Sequence, residues 1–262
     1  MRRIKKCSVF LLVLCLLLNL AGCAAAQKPL RVTLVLKTVT EVAEFWGTLL
    51  SGVEKAAEEY GVELKVLTSP REIDIDKQIE LIRQVTADKP DVMILSAADY
   101  DRCAEATEEA IAAGIGVVAI DTDVNAAGRA CFVGSNSYEI GLEMGRAMAS
   151  YLPEGGKVAV IQHMLTTTTG IERTRGVLDA LNEAGNIEIL GSFCCDNSTE
   201  QAQTITTELL SADPEIRGFV CTNEVCNVGA ANALVELGMG SKVFVVGCDN
   251  SQRQIQFLEQ NI

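Results

Sequence analysis

The sequence predicts an α/β fold made of two doubly wound parallel-sheet lobes. Three observations predict it. Short apolar runs alternate with stretches of helical apolar spacing along most of the 262 residues. The runs are apolar throughout rather than at every second residue, which marks strands covered on both faces. The alternation lapses once, at 123–129, and then restarts, which divides the chain into two lobes.

The first lobe, 30–133, opens with strand 30–36 (Leu30-Arg-Val-Thr-Leu-Val-Leu36). A polar loop, 37–44, leads to a helix over 45–60. Its apolar residues (Phe45, Leu49, Val53, Ala56, Ala57) recur at helical spacing, and Gly61 ends it. Strand 62–67 follows, and Ser69-Pro70 turns the chain into helix 76–86, which carries Ile79, Ile82 and Val85 on one face. Lys89-Pro90 breaks that helix before strand 91–95. Helix 101–113 is capped by Gly114. Strands 115–120 and 130–133 complete the lobe, and the chain crosses to the second lobe after the latter. The second lobe, 134–262, repeats the pattern. Its helices are predicted at 138–151, 171–184, 200–211, 225–237 and 252–260. Its strands are predicted at 157–162, 187–193, 218–221 and 242–246. Right-handed crossovers set the winding of both sheets.

Residues 1–22 are read as a leader rather than fold. Arg2, Arg3, Lys5 and Lys6 form a positive region, and 9–18 form an apolar segment of signal-peptide length. Leu20-Ala-Gly-Cys23 resembles a bacterial lipobox, in which the Cys is lipidated and becomes the new N-terminus. Cys23 is therefore the expected lipidation site, with 23–29 as a tether. Removal of the four basic leader residues takes the formal charge from −13 to −17. That balance argues against nucleic acid and against an electrostatic membrane surface, both of which repay positive patches. Membrane attachment is expected through the lipid alone.

With Cys23 lipidated, an odd number of cysteines is left, and no C-x-x-C pair occurs. A zinc or thioredoxin-like site is not expected, and the spacing does not indicate a disulfide network. The vicinal pair Cys194-Cys195 reads either as redox-active or as strand-end packing. Motifs for nucleotide cradling, serine hydrolysis and zinc proteolysis are absent. With one histidine and no nucleophile–base pair, enzyme chemistry has little support. No cofactor and no metal are expected.

In open α/β sheets, ligands are held at the loops after the C-terminal strand ends, and the polar residues there are the candidates. Val243-Phe-Val-Val-Gly-Cys-Asp249 and Val117-Val-Ala-Ile-Asp121 each deliver a carboxylate to a strand end. A carboxylate there can accept two charge-assisted hydrogen bonds from adjacent hydroxyls; the alternative for Asp121 is a turn or cap. Thr122 and Asp123 are weaker candidates. Phe45 and Trp46 offer aromatic faces for the C–H face of a sugar ring, or else ordinary core packing. Arg173 and Arg175 lie two apart on a predicted helix, so one enters the cleft and the other forms a surface ion pair. Asn223 offers both donor and acceptor, and serves either a ligand hydroxyl or a helix N-cap. For His163, a ligand contact and a solvent-facing loop position are both open.

Taken in order, Lys37-Thr38…Phe45-Trp46, Gly114-Ile115…Ile120-Asp121, Gly170…Glu172-Arg173-Thr-Arg-Gly176, Thr222-Asn223-Glu224 and Val246-Gly-Cys-Asp-Asn250 resemble the periplasmic ribose/galactose-type sugar-binding proteins of ABC transporters. Effector domains of LacI-type repressors share that fold. The resemblance covers 30–262 and implies the type I periplasmic binding protein fold, a clamshell closing on its ligand. Carried over residue by residue, it puts the ligand contacts at Phe45, Trp46, Asp121, Arg173, Asn223 and Asp249. Lys37 matches an end-of-strand site position, and Asn197 matches one more loosely. The implied function is an exported substrate-binding protein, lipid-anchored to the outer face of the cell membrane or in the periplasm. It would capture a sugar or similar polyol and present it to ABC permease subunits. The alternative is a ligand-sensing subunit for a membrane receptor or kinase. A transcriptional effector domain is opposed by the leader and by the lack of a helix-turn-helix. There are departures: the family's Asn-Pro before the aromatics reads Val42-Ala-Glu44, and its Gly-Phe-Asp reads Gly247-Cys-Asp249. The family also continues past the last helix and crosses back to complete the first lobe. The resemblance thus implies a missing C-terminal part, an incomplete first lobe and an exposed apolar edge.

Overall fold

The computed structural model describes residues 28–38 and 44–262. The leader, Cys23, most of the tether and residues 39–43 of the polar loop read from the sequence lie outside the described residues.

The first sheet contains β1 (Arg31–Leu36), β2 (Glu63–Thr68), β3 (Val92–Leu95), β4 (Gly116–Ile120) and β5 (Cys131–Val133). They run in the order β2-β1-β3-β4-β5 and pair in parallel throughout. Strand periodicity splits β1 between two cores. Val35 packs with Met93, Leu95, Val117 and Ala119 under α2 (Ile75–Asp88) and α3 (Ala104–Ala112). Leu34 and Leu36 face the other way, against Trp46 of α1 (Glu44–Tyr60).

The second sheet contains β6 (Gly156–Gln162), β7 (Ile187–Cys194), β8 (Ile216–Cys221) and β9 (Phe244–Gly247), parallel and in the order β7-β6-β8-β9. One face (Ala159, Ile161, Phe219, Cys221) is covered by α6 (Thr199–Ala212) and α7 (Glu224–Leu237). The other face (Val158, Val160, Val220) is covered by α4 (Ser137–Tyr151) and α5 (Thr168–Ala184). A final helix, α8 (Gln252–Glu259), buries Phe257 against Val228 and Ala231 of α7.

Helices α4 and α5 approach unusually closely. A Cβ on Gly141 would lie 2.1 Å from the Arg173 carbonyl oxygen, and one on Gly176 would lie 2.2 Å from that of Tyr138. Only glycine allows the contact, and it sets the position of the first turns of α5, where Arg173 sits.

Among the element boundaries that differ from the sequence reading, three are shifted by a local hydrogen bond that outcompetes the periodic pattern. Helix α3 starts at Ala104 rather than 101, because Asp99 Oδ1 accepts from the Asp101 and Arg102 amides and holds a turn. Helix α5 starts at Thr168 rather than 171, because the Thr167 hydroxyl accepts from the Gly170 amide and caps it early. Strand β9 starts at Phe244, since the amides of Lys242 and Val243 still donate to the Met239 carbonyl. At the edge of the first sheet, β5 is exposed along its length, with Phe132 and Val133 at 37% and 59%.

Candidate ligand-binding cleft

Because each sheet is parallel, its C-terminal strand ends lie along one edge. These two edges face each other. The lobes touch through Thr166, whose hydroxyl donates to the Ala98 carbonyl at 2.8 Å and whose carbonyl accepts from the Tyr100 amide at 3.0 Å. The Asp123 amide also donates to the Thr168 hydroxyl at 2.9 Å. Between the edges lies a cavity of about 50 Å³. Its lining includes all eight residues singled out as candidate ligand contacts: Lys37, Phe45, Trp46, Asp121, Arg173, Asn197, Asn223 and Asp249.

The first lobe contributes a buried ionic network. Lys37 follows β1, and its Nζ lies 2.8 Å from Glu72 Oε1 and 3.4 Å from Asp121 Oδ2. Burial alone pushes the Lys37 ammonium down. The Glu72 and Asp121 carboxylates beside it push it up by more, so it stays charged. Asp121 ends β4 at a left-handed φ of 59°, which a short polar side chain tolerates, and its Oδ2 also accepts from the Ser96 hydroxyl. The two aromatic residues differ. Trp46 is 5% exposed, packed on Leu34 and Leu36, with the Lys37 ammonium 5.7 Å from its ring centroid. Phe45 is 40% exposed and stands edge-on to Trp46. Of the weaker candidates, Thr122 turns inward to the Ala97 carbonyl and Asp123 pairs with Arg129 at 2.7 Å. Neither reaches the cavity.

The second lobe holds its polar groups on helix starts. Asn223 caps α7 through the Cys226 amide, as the N-cap reading expects, and its side chain also lines the cavity. Its Nδ2 donates to Asn197 Oδ1 at 2.9 Å, and Asn197 Nδ2 donates across the cleft to Glu72 Oε2 at 2.8 Å. Arg173 donates from Nη1 to the Thr222 carbonyl at 2.8 Å, while its buried Nε has no partner among the described residues. Arg175 points outward, pairs with Glu172 and lies over the Tyr138 ring. Asp249 (φ 72°) accepts the Glu224 amide at 2.9 Å and sits exposed at the rim.

His163 is not a solvent-facing loop residue. It is buried and lines the cavity, with Nδ1 2.8 Å from the Thr222 hydroxyl and Nε2 3.2 Å from that of Thr169. Burial first, and then the Lys37 and Arg173 cations, hold its imidazole well below the ordinary range, so it is neutral. Glu72, Thr169, Glu224 and Val225 also line the cavity and were not singled out from the sequence. Glu72 had an available signal, since it lies just past the end of β2, where the strand-end rule applies as it does to Asp121. Burial raises the Glu224 carboxyl.

This cleft can present carboxylates, a forked cation, amides and aromatic edges to one small polar molecule. Among the described residues, no group of acidic, histidine and cysteine side chains could hold a metal. The chain is 26% identical over 234 residues to the D-ribose/D-allose-binding protein of Pseudomonas aeruginosa, covering 86% of this chain and 72% of that one. It is 26% identical over 242 residues to the D-allose-binding periplasmic protein of Escherichia coli, covering 89% and 76%. A periplasmic solute-binding protein of an ABC transporter from Actinobacillus succinogenes, solved with bound D-allose, superposes with a TM-score of 0.80 at 28% identity, covering 89% and 82%. These relatives are binding proteins rather than enzymes. The family model described as the periplasmic binding protein domain matches residues 33–262, and the chain belongs to that family.

Proposed function

We propose that this chain is an extracytoplasmic substrate-binding lipoprotein that captures a sugar or similar polyol between its lobes for an ABC transporter. The observation that carries the reading is the composition of the cleft. Asp121 and Asp249 are acceptors from opposite sheets, Arg173 keeps a buried Nε with no partner among the described residues, and the exposed Phe45 ring lines the same cavity. Carboxylates and a guanidinium fork bind vicinal hydroxyls in pairs, and an aromatic face accepts the ring's C–H groups. The relatives named for ribose and allose support the class of ligand. The ligand contacts are the eight residues named above, with His163 as a neutral neighbour.

A thermal-shift panel on the full chain tests this. A matching pentose or hexose at a hundred times its Kd should stabilise by about 2.7 kcal/mol, on the order of 5–10 °C in Tm. Stabilisation by amino acids or purines with none by any polyol would sink the sugar reading. Anchoring rests on Leu20–Cys23. Metabolic labelling with a fatty acid should mark the wild type and not Cys23→Ala.

A further inference from the structure

The function proposed for the cleft leaves one buried pair of nucleophiles unexplained. Cys195, just after β7, and Cys226, in the first turn of α7, are both fully buried, with sulfurs 3.4 Å apart. We infer that Cys195 and Cys226 are a thiol/disulfide pair whose oxidation locks the floor of the cleft. The inference does not depend on what the cleft binds.

The geometry is specific to this pair. The vicinal neighbour Cys194 directs its sulfur elsewhere, toward the His163 carbonyl and Asp196 Oδ1. The structure thus replaces the Cys194-Cys195 pairing suggested by adjacency with a partner 31 residues away. A disulfide needs its sulfurs at about 2.05 Å, so an approach of about 1.4 Å completes the bond. The backbones on both sides are already fixed. The Cys195 amide donates to the Gln162 carbonyl, and the Cys226 amide donates to Asn223 Oδ1. Asn197 and Asn223, two and three residues from these cysteines, are hydrogen-bonded to each other, and both line the cleft. A bond between the sulfurs ties the loop carrying Asn197 to the helix start carrying Asn223, and uses no polar group that faces the cavity.

The chemistry assigns unequal roles. Donation from the Cys226 thiol holds the Cys195 thiol below its ordinary value, while burial pushes Cys226 well above. Both sulfurs are buried, so Cys195 acts as the attacking thiolate when folding or local opening exposes it. It displaces a thiolate from a small disulfide oxidant and forms a mixed disulfide. Cys226, giving up its proton, then attacks the Cys195 sulfur and expels the second thiol. Two cysteine thiols are oxidised, one oxidant disulfide is reduced to two thiols, and atoms and electrons balance.

The test uses oxidised glutathione on the full chain, natively and during refolding, against a dithiothreitol control. Non-reducing peptide mapping should find Cys195 joined to Cys226, with a mass loss of about 2 Da. Tm should rise on the order of 5–10 °C, as a loop of this length implies. Cys195→Ser and Cys226→Ser should each lose the rise, and Cys194→Ser should keep it. If either serine variant fails to fold, the wild-type and Cys194→Ser maps decide alone. A linkage through Cys194, a persistent glutathione adduct on Cys195, or two free thiols after oxidative refolding would each overturn the inference.

Discussion

Asp121 and Asp249 occupy matching places in the two lobes. Each follows a strand end, each has a left-handed backbone (φ 59° and 72°), and each borders the same cavity. Their surroundings differ. Asp121 belongs to a buried network with Lys37 and Ser96, which Lys37 extends to Glu72. Asp249 is exposed and accepts one amide at the start of α7. The first lobe holds its polar groups against one another, while the second holds them on helix termini and on the close α4–α5 contact. The same strand-end pattern therefore supports two modes of preorganisation, with different sensitivities to mutation and pH.

The largest effect should come from the first lobe. Lys37→Met leaves one buried and one half-buried carboxylate without their cation and should cost about 3–5 kcal/mol in urea unfolding. The double variant Lys37→Met/Glu72→Gln should recover part of that loss, as members of one network do. A cost below about 1 kcal/mol for the single variant would show that the network does not organise this lobe.

Next comes Gly141→Ala. The added Cβ meets the Arg173 backbone, and overpacking should cost about 1–3 kcal/mol. Because the displaced residue lines the cleft, the sugar-induced thermal shift should fall as well. An unchanged shift would detach Arg173 from ligand contact.

His163 gives a smaller, pH-dependent effect. Its imidazole is depressed in the folded state, so the unfolded chain takes up the proton first. Its contribution is full above pH ~6.5 and declines as pH falls below that, by at most ~1.4 kcal/mol per pH unit. His163→Gln should flatten the wild-type loss of stability between neutral and mildly acid pH; parallel curves would contradict a neutral buried imidazole.

The smallest stability effect is expected from Asp249→Asn. It removes a charge at the α7 N-terminus worth roughly 0.3–1 kcal/mol. Stability should barely change while the sugar-induced shift collapses. Asp121→Asn should lose the shift and also lower Tm. If the two behave alike, the contrast between the lobes fails.

Much of this was legible in the sequence because it is local. Strand runs, helical periodicity and the Gly61 and Gly114 stops depend on residues near one another. In a parallel sheet, strand order in the chain also implies which loops share an edge, and this points to Asp121, Asn223 and Asp249, while Lys37 follows from the family resemblance. The boundary differences at α3 and α5 arise where a side chain caps a turn that periodicity does not register. Glu72 is masked in the sequence because Ser69-Pro70 reads as a turn, although the residues after it also follow a strand end. The sequence leaves two positions open for His163 because burial depends on what packs over a loop, and here Thr169 and Thr222 come from separate elements.

By itself the sequence determined the element order, the division into two parallel sheets and the strand ends at which polar groups collect. These follow from short-range backbone preferences and from the burial of apolar runs. Only the tertiary structure decided which of those groups are charged, paired or available. Lys37 stays an ammonium because two carboxylates from other strand ends surround it. His163 stays neutral because it is sealed among hydroxyls beside two cations. Cys195 meets Cys226 rather than its neighbour Cys194 because α7 brings a distant thiol beneath the same loop. Charge state and reactivity depend on desolvation and on partners remote in the chain, and those exist only once the lobes have packed.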